Sequence, residues 1–146
     1  MADRGDLALA IYFTVEVGGT DLGGWTKCEG LGAEVVMEQR EEGGNNGFIW
    51  QLPTRIKYPN IKLTRPIGKD STKLTEWLAG LASGVHPQTA TITVRSSDAK
   101  VVTTWSLEGV LPVRWTGPNL DPDSPKIATE TVELCHHGFL PGRVEE

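Results

Sequence analysis

Apolar and polar residues alternate along most of this chain, and a period of two predicts strands. Leu9 to Val17 ("LAIYFTVEV") is rich in β-branched and aromatic residues and stops at Gly18-Gly19, a turn signal. Trp25 to Glu29 and Ala33 to Gln39 read as strands flanking Gly30 and Gly32. "FIWQL" resumes a strand, which Pro53 and Pro59 are expected to interrupt. Ile61 to Arg65 places Ile61 and Leu63 on one side, Lys62 and Thr64 on the other. Gln88 to Ser96 alternates in the same way. Val101 to Leu107 and Val110 to Thr116 follow, separated by Glu108-Gly109, and Ile127 to Cys135 closes the series.

One segment has a helical period instead. In "KDSTKLTEWLAGLASG", Leu74, Trp77, Leu78 and Leu81 form a single apolar stripe. Asp70 or Ser71 can cap its start and Gly84 can end it. The strands' second faces are Thr, Lys, Arg and Glu, which suits sheets with one dry and one wet side. The expected fold is mainly β: a barrel-like, two-sheet domain of seven or eight strands with one helix packed across a sheet or into one end. Few strands carry a blocking device, which points to assembly through edges. The whole chain, 1–146, is expected to form one domain, with polar tails at 1–8 and 140–146.

Net charge is −5, an argument against general nucleic-acid binding. No stretch reaches the roughly 18 apolar residues of a membrane span, so no stable membrane association is expected. The N-terminus reads as a polar tail rather than a signal peptide, so the expected starting compartment is the cytoplasm. Cys28 and Cys135 fall in predicted strands and are read as reduced, partly buried thiols, with a disulfide between them as the alternative. No catalytic motif is present, and the acid pairs Glu41-Glu42 and Glu145-Glu146 lie in a loop and a tail, where nothing dries them. His136 and His137 point to opposite faces of a strand, are expected to touch solvent or a partner chain, and lack the further ligands zinc needs. The expectation is no enzyme, no metal and no cofactor.

The stretch "WQLPTRIKYPNIKLTRPI" gathers Arg55, Lys57, Lys62 and Arg65 around Tyr58 and Trp50. That could bind phosphates and stack bases as an OB-like single-stranded nucleic-acid binder does. The cations, however, alternate with buried positions, as on any half-exposed strand. The same stretch resembles a tube-protein segment reading K-L-P-G-x-x-K-Y-x-N-I-x-L-K-R-G, through Leu52-Pro53, Lys57-Tyr58, Asn60-Ile61, Leu63 and Arg65. "FTVEVGG" with "CEGLGAEVVMEQREEG" resembles the family's opening, and "KLTEWLAGL" its D-x-x-L-x-x-W helix. "WSLEGVLPVRWTGPNLD" and "IATETVELCHHGF" resemble its two closing segments. Five pieces in order, from about Tyr12 to Phe139, are similar to the tail-tube proteins of contractile phages and injection systems. Type VI secretion tube proteins are more distant relatives. Pro66-Ile67, Thr54 and Cys28 depart from the usual pattern.

The resemblance implies rings of six copies whose strands join into one barrel around a channel, with rings stacked into a tube. It also implies a sheath, a baseplate or spike hub and protein cargo in the lumen as partners, with nucleic acid only as a genome passing through a phage tail. A tube initiator ring joining hub to tube shares the motifs. Within that picture Ile61, Leu63, Leu74, Trp77, Leu78 and Leu81 are core anchors. Lys62, Thr64 and Arg65 face the lumen or a neighbour. The polar loop of Arg40, Glu41, Glu42, Gly43, Gly44, Asn45 and Asn46, running to Gly47, contacts the adjacent subunit. Arg40, Arg55 and Lys57 are expected to pair with Glu41, Glu42 or Glu133 of the next copy.

Overall fold

Each alternating segment pairs antiparallel with its neighbours. The computed structural model describes residues 11–40, 47 and 49–141. The strands are β1 Tyr12–Val17, β2 Thr20–Trp25, β3 Lys27–Glu29, β4 Glu34–Arg40, β5 Trp50–Lys57, β6 Ile61–Pro66, β7 Gln88–Arg95, β8 Val101–Thr116 and β9 Thr129–Cys135. Among the described residues one helix, α1, spans Ser71–Gly80 and tightens into a 3-10 turn at Leu81–Ser83.

Seven strands form one sheet in the order β2-β1-β7-β8-β9-β6-β3, while β4 and β5 form a separate two-stranded ribbon. β2 and β3 are the two ends of the sheet, yet only Thr26 separates them in sequence. The ends must therefore lie side by side, and the Thr26 backbone N–H donates to the Thr64 carbonyl at 3.1 Å. The sheet curls into a barrel-like body, which removes most of its free edge.

Inside it, Val15, Leu22, Trp25, Ile61, Leu63, Ile92, Leu107 and Leu134 are fully enclosed. Helix α1 adds Leu74 and Trp77 to this core, and Leu78 and Leu81 pack half-buried against it. Asp70 occupies the N-cap position without capping through its side chain. Its carboxylate instead accepts the Gly24 N–H at 3.4 Å and pairs with Lys73 at 3.3 Å.

Three features differ from the sequence expectation. Glu108-Gly109 does not divide two strands: β8 is continuous over 16 residues. Its first part pairs with β7 and its last part with β9, so one strand serves both walls. Gly109 makes the bend with φ +66, and a Cβ there would sit 2.5 Å from His137 Nδ1. Pro53 does not interrupt β5 either. It lies opposite Met37 beside a register shift, in a strand with a single partner, the edge and bulge setting in which strands tolerate proline. β2, "TDLGGW", escaped because two glycines weaken its strand signature.

Candidate assembly interface

Among the described residues, the ribbon's two strands are exposed along nearly their whole length. Gly30, at φ +96, turns the chain out of β3 so closely past β6 that a Cβ would meet the Asn60 carbonyl. Cross-strand partners share a face. Val35 lies opposite Ile56 and Met37 opposite Pro53, giving one apolar face. The other face carries Glu34 opposite Lys57, Val36 opposite Arg55 and Glu38 opposite Leu52. Val35, Met37 and Ile56 remain 44%, 48% and 53% exposed. Beyond its own pairing, the ribbon makes no extensive contact with another element among the described residues. An isolated two-stranded ribbon is marginal in water at best, and this one leaves its apolar side uncovered. Arg40 closes the described part of the ribbon opposite Trp50. Glu41, Glu42, Gly43, Gly44, Asn45 and Asn46 lie outside the described residues.

The wet face of the β3-β6-β9-β8 wall is a second surface. Strand registers place Glu29 beside Lys62, Lys62 beside Glu133 and Glu133 beside Arg114. A parallel row runs Lys27, Thr64, Thr131, Thr116, with Thr64 and Thr131 hydroxyls 3.1 Å apart. Lys62 is exposed and Thr64 half-buried. Neither Lys62 nor Arg114 forms an ion pair within 4 Å among the described residues.

Arg65 does not belong to that surface, which corrects the expectation that it faces a lumen or neighbour. It is 4% exposed and on the core side of β6, in phase with Ile61 and Leu63. Its Nε donates to Glu130 Oε2 at 2.8 Å, and Glu130 is 1% exposed. Nη1 donates to the Leu22 and Gly24 carbonyls and Nη2 to the Asp70 carbonyl, at 2.7 to 3.2 Å. The guanidinium also stacks 3.9 Å from the Trp25 ring centroid. Glu130 further accepts the Ser71 hydroxyl at 2.8 Å and the Trp115 indole N–H at 3.3 Å. This buried pair ties β2, β6, β8, β9 and the start of α1 together. Strict alternation along "IKLTR" already assigned Arg65 to the inner face; Glu130, in phase with Val132 and Leu134, had the same signal.

The remaining chemistry is structural. His136 is buried rather than solvent-facing, between Tyr58 and Phe139, and its Nδ1 accepts the Gly138 N–H at 3.1 Å. Burial, helped by the nearby His137 charge, pushes its pKa below the usual 6.5. Cys28 and Cys135 are free and half-buried. Burial, with the Glu29 charge beside it, raises the Cys28 thiol to about 11. Among the described residues, no group of three His, Cys, Asp or Glu side chains is placed to hold a metal ion, and no helix is long and apolar enough to cross a membrane.

The curled β-body with its flanking helix is a fold shared with chains of solved contractile assemblies. A chain of the cryo-EM structure of the anti-feeding prophage baseplate superposes with TM-score 0.74 at 22% identity, over 91% of this chain and 92% of that one. A chain of the extracellular contractile injection system PVC, in its sheath-tube complex, gives 0.72 at 20% identity over 96% of both chains. Hcp1 from Salmonella typhimurium gives 0.53 at 15%, over 88% and 83%. These likenesses establish the fold. Residues 9–140 match the family described as T4-like virus tail tube protein gp19, and the chain belongs to that family. None of the curated proteins matches the sequence.

Proposed function

We propose that this protein is the structural subunit of the inner tube of a contractile, phage-tail-like injection system. Six copies form a ring, and rings stack around a central channel. The family membership supports the tube role, and the ribbon carries the assembly reading. An apolar ribbon face that the protomer leaves bare is completed by another copy, as head-to-tail contacts that close by rotation make rings. Lys62 and Thr64 then face the channel or a neighbour. The loop containing Arg40 reaches the adjacent subunit. No catalysis is required of the chain in this role.

In this reading a sheath surrounds the tube, a baseplate seeds it, and protein cargo can occupy the bore. Assembly begins in the cytoplasm and ends in a particle that leaves it. The likeness to a baseplate chain favours one second reading, a tube initiator ring between hub and tube. Negative-stain electron microscopy of the purified protein, alone and with a hub to seed it, distinguishes them. Long tubes support the tube subunit, single rings support the initiator, and a monomer at every concentration rejects both. Monomers that shift a labelled oligonucleotide would favour the OB-like alternative.

A further inference from the structure

The charged row on the wet face of the β3-β6-β9-β8 wall has ends of opposite sign. It reads Glu29, Lys62, Glu133, Arg114, so charge alternates strand by strand. Among the described residues of the protomer neither carboxylate has a cation closer than 3.8 Å: Glu29 stands at that distance from exposed Lys27, and Glu133 accepts the neutral Asn60 amide at 2.7 Å. Glu29 sits on β3, the last strand of the sheet. Arg114 sits in the part of β8 that extends past β7: the β7 ladder ends at Gln88 opposite Val110. On that side residues Leu111 to Thr116 have no strand partner among the described residues. The wall therefore has two flanks without a ladder partner among the described residues, one ending in a carboxylate and one in a guanidinium, and both side chains are exposed.

We propose that the β3 flank of one copy meets the β8 flank of the next, so that Glu29 of one copy lies beside Arg114 of its neighbour. This rests on the tube reading above and specifies the seam within a ring. Juxtaposing the flanks in this sense continues the alternation without a break from copy to copy. The opposite pairing, β3 to β3 or β8 to β8, would set like charges against each other. The seam is thus heterologous and directional, which is the condition for a ring. Each copy contributes equal numbers of both signs to the band, so the closed ring carries a charged but locally neutral belt. Charge complementarity of this kind selects register and rejects wrong partners.

The test uses two single-reversal chains, Glu29→Lys and Arg114→Glu. In a ring of either chain alone every seam is like-charged: two cations meet in the first and two carboxylates in the second. In a ring alternating the two chains, half the seams join the two reversed positions and the other half the two native ones, and both kinds are again opposite in charge. Ring yield, scored by microscopy and size exclusion, should fall at least about tenfold for each chain alone and recover in the equimolar mixture. Loss of a contact inside the protomer would not be repaired by mixing. Folded single-reversal chains that assemble normally, or a mixture no better than its parts, overturn the seam. If either reversal prevents folding, Glu29→Cys and Arg114→Cys chains, each with Cys28→Ser and Cys135→Ser, replace them. Oxidised dimers should then appear only in the mixture, and rings without such dimers overturn the proposal. Unaltered protein that forms no rings would instead defeat the tube reading, and the seam with it.

Discussion

Arg65 and Glu130 illustrate how a charged pair becomes part of a core. Four guanidinium hydrogen bonds and the Trp25 face satisfy the cation, while Ser71 and Trp115 complete the carboxylate. Removing one partner strands the other in a dry site. Arg65→Ala should cost about 3–5 kcal/mol in denaturant unfolding, and Arg65→Lys should fail to restore it, because an ammonium cannot reproduce the fork. His136 gives a second prediction. Its folded pKa lies below the unfolded value, so the unfolded chain binds the proton first. The stability it contributes is present above the unfolded pKa and is lost as pH falls from about 7 to about 5. Unfolding midpoints measured across that range should decline, and His136→Gln should flatten the decline. The sequence revealed the phase of Arg65 but not its partners, because Glu130 is 65 residues away. A cation within the tube-protein motif suggests a surface role, which the alternation of β6 contradicts.

At the scale of elements, the alternation made most strands and the helix legible, and it misjudged their joints. Gly109 looks like a separator in sequence, yet it lets β8 bend and continue. Gly109→Ala should cost about 1–3 kcal/mol in thermal or chemical unfolding, since the left-handed backbone and the His137 ring both resist a Cβ. Pro53 breaks a strand only where its N–H is needed, and sequence alone does not say that β5 has one partner. The ribbon's apolar face was equally hidden, because exposure depends on what the body fails to cover. Met37→Glu and Ile56→Glu should leave protomer stability within about 0.5 kcal/mol and abolish rings in electron micrographs. Ring formation unaffected by both charges would remove the ribbon from the interface.

For the whole molecule, the count of strands, their wet faces and one helix pointed to a β-body, and the resemblance pointed to the tube family. What the chain could not display is how copies would meet in the proposed ring, since that depends on which strand edges the body leaves without a ladder partner. The β3 flank and the far part of β8 are such edges, and the charged row runs between them. Assembly driven by such a row should weaken between about 50 mM and about 500 mM salt, read as a fall in the ring fraction by light scattering. Insensitivity to salt would leave the apolar ribbon as the sole adhesive and would remove the expected pairing of Arg40, Arg55 and Lys57 with a neighbour's carboxylates.

β8 also has a mechanical consequence. Because a single peptide crosses from one wall of the body to the other, a thrust delivered to either wall travels through covalent backbone. Sliding the walls past each other would have to stretch that peptide or unzip two ladders at once. Shear within the body is therefore resisted by covalent bonds as well as by hydrogen bonds.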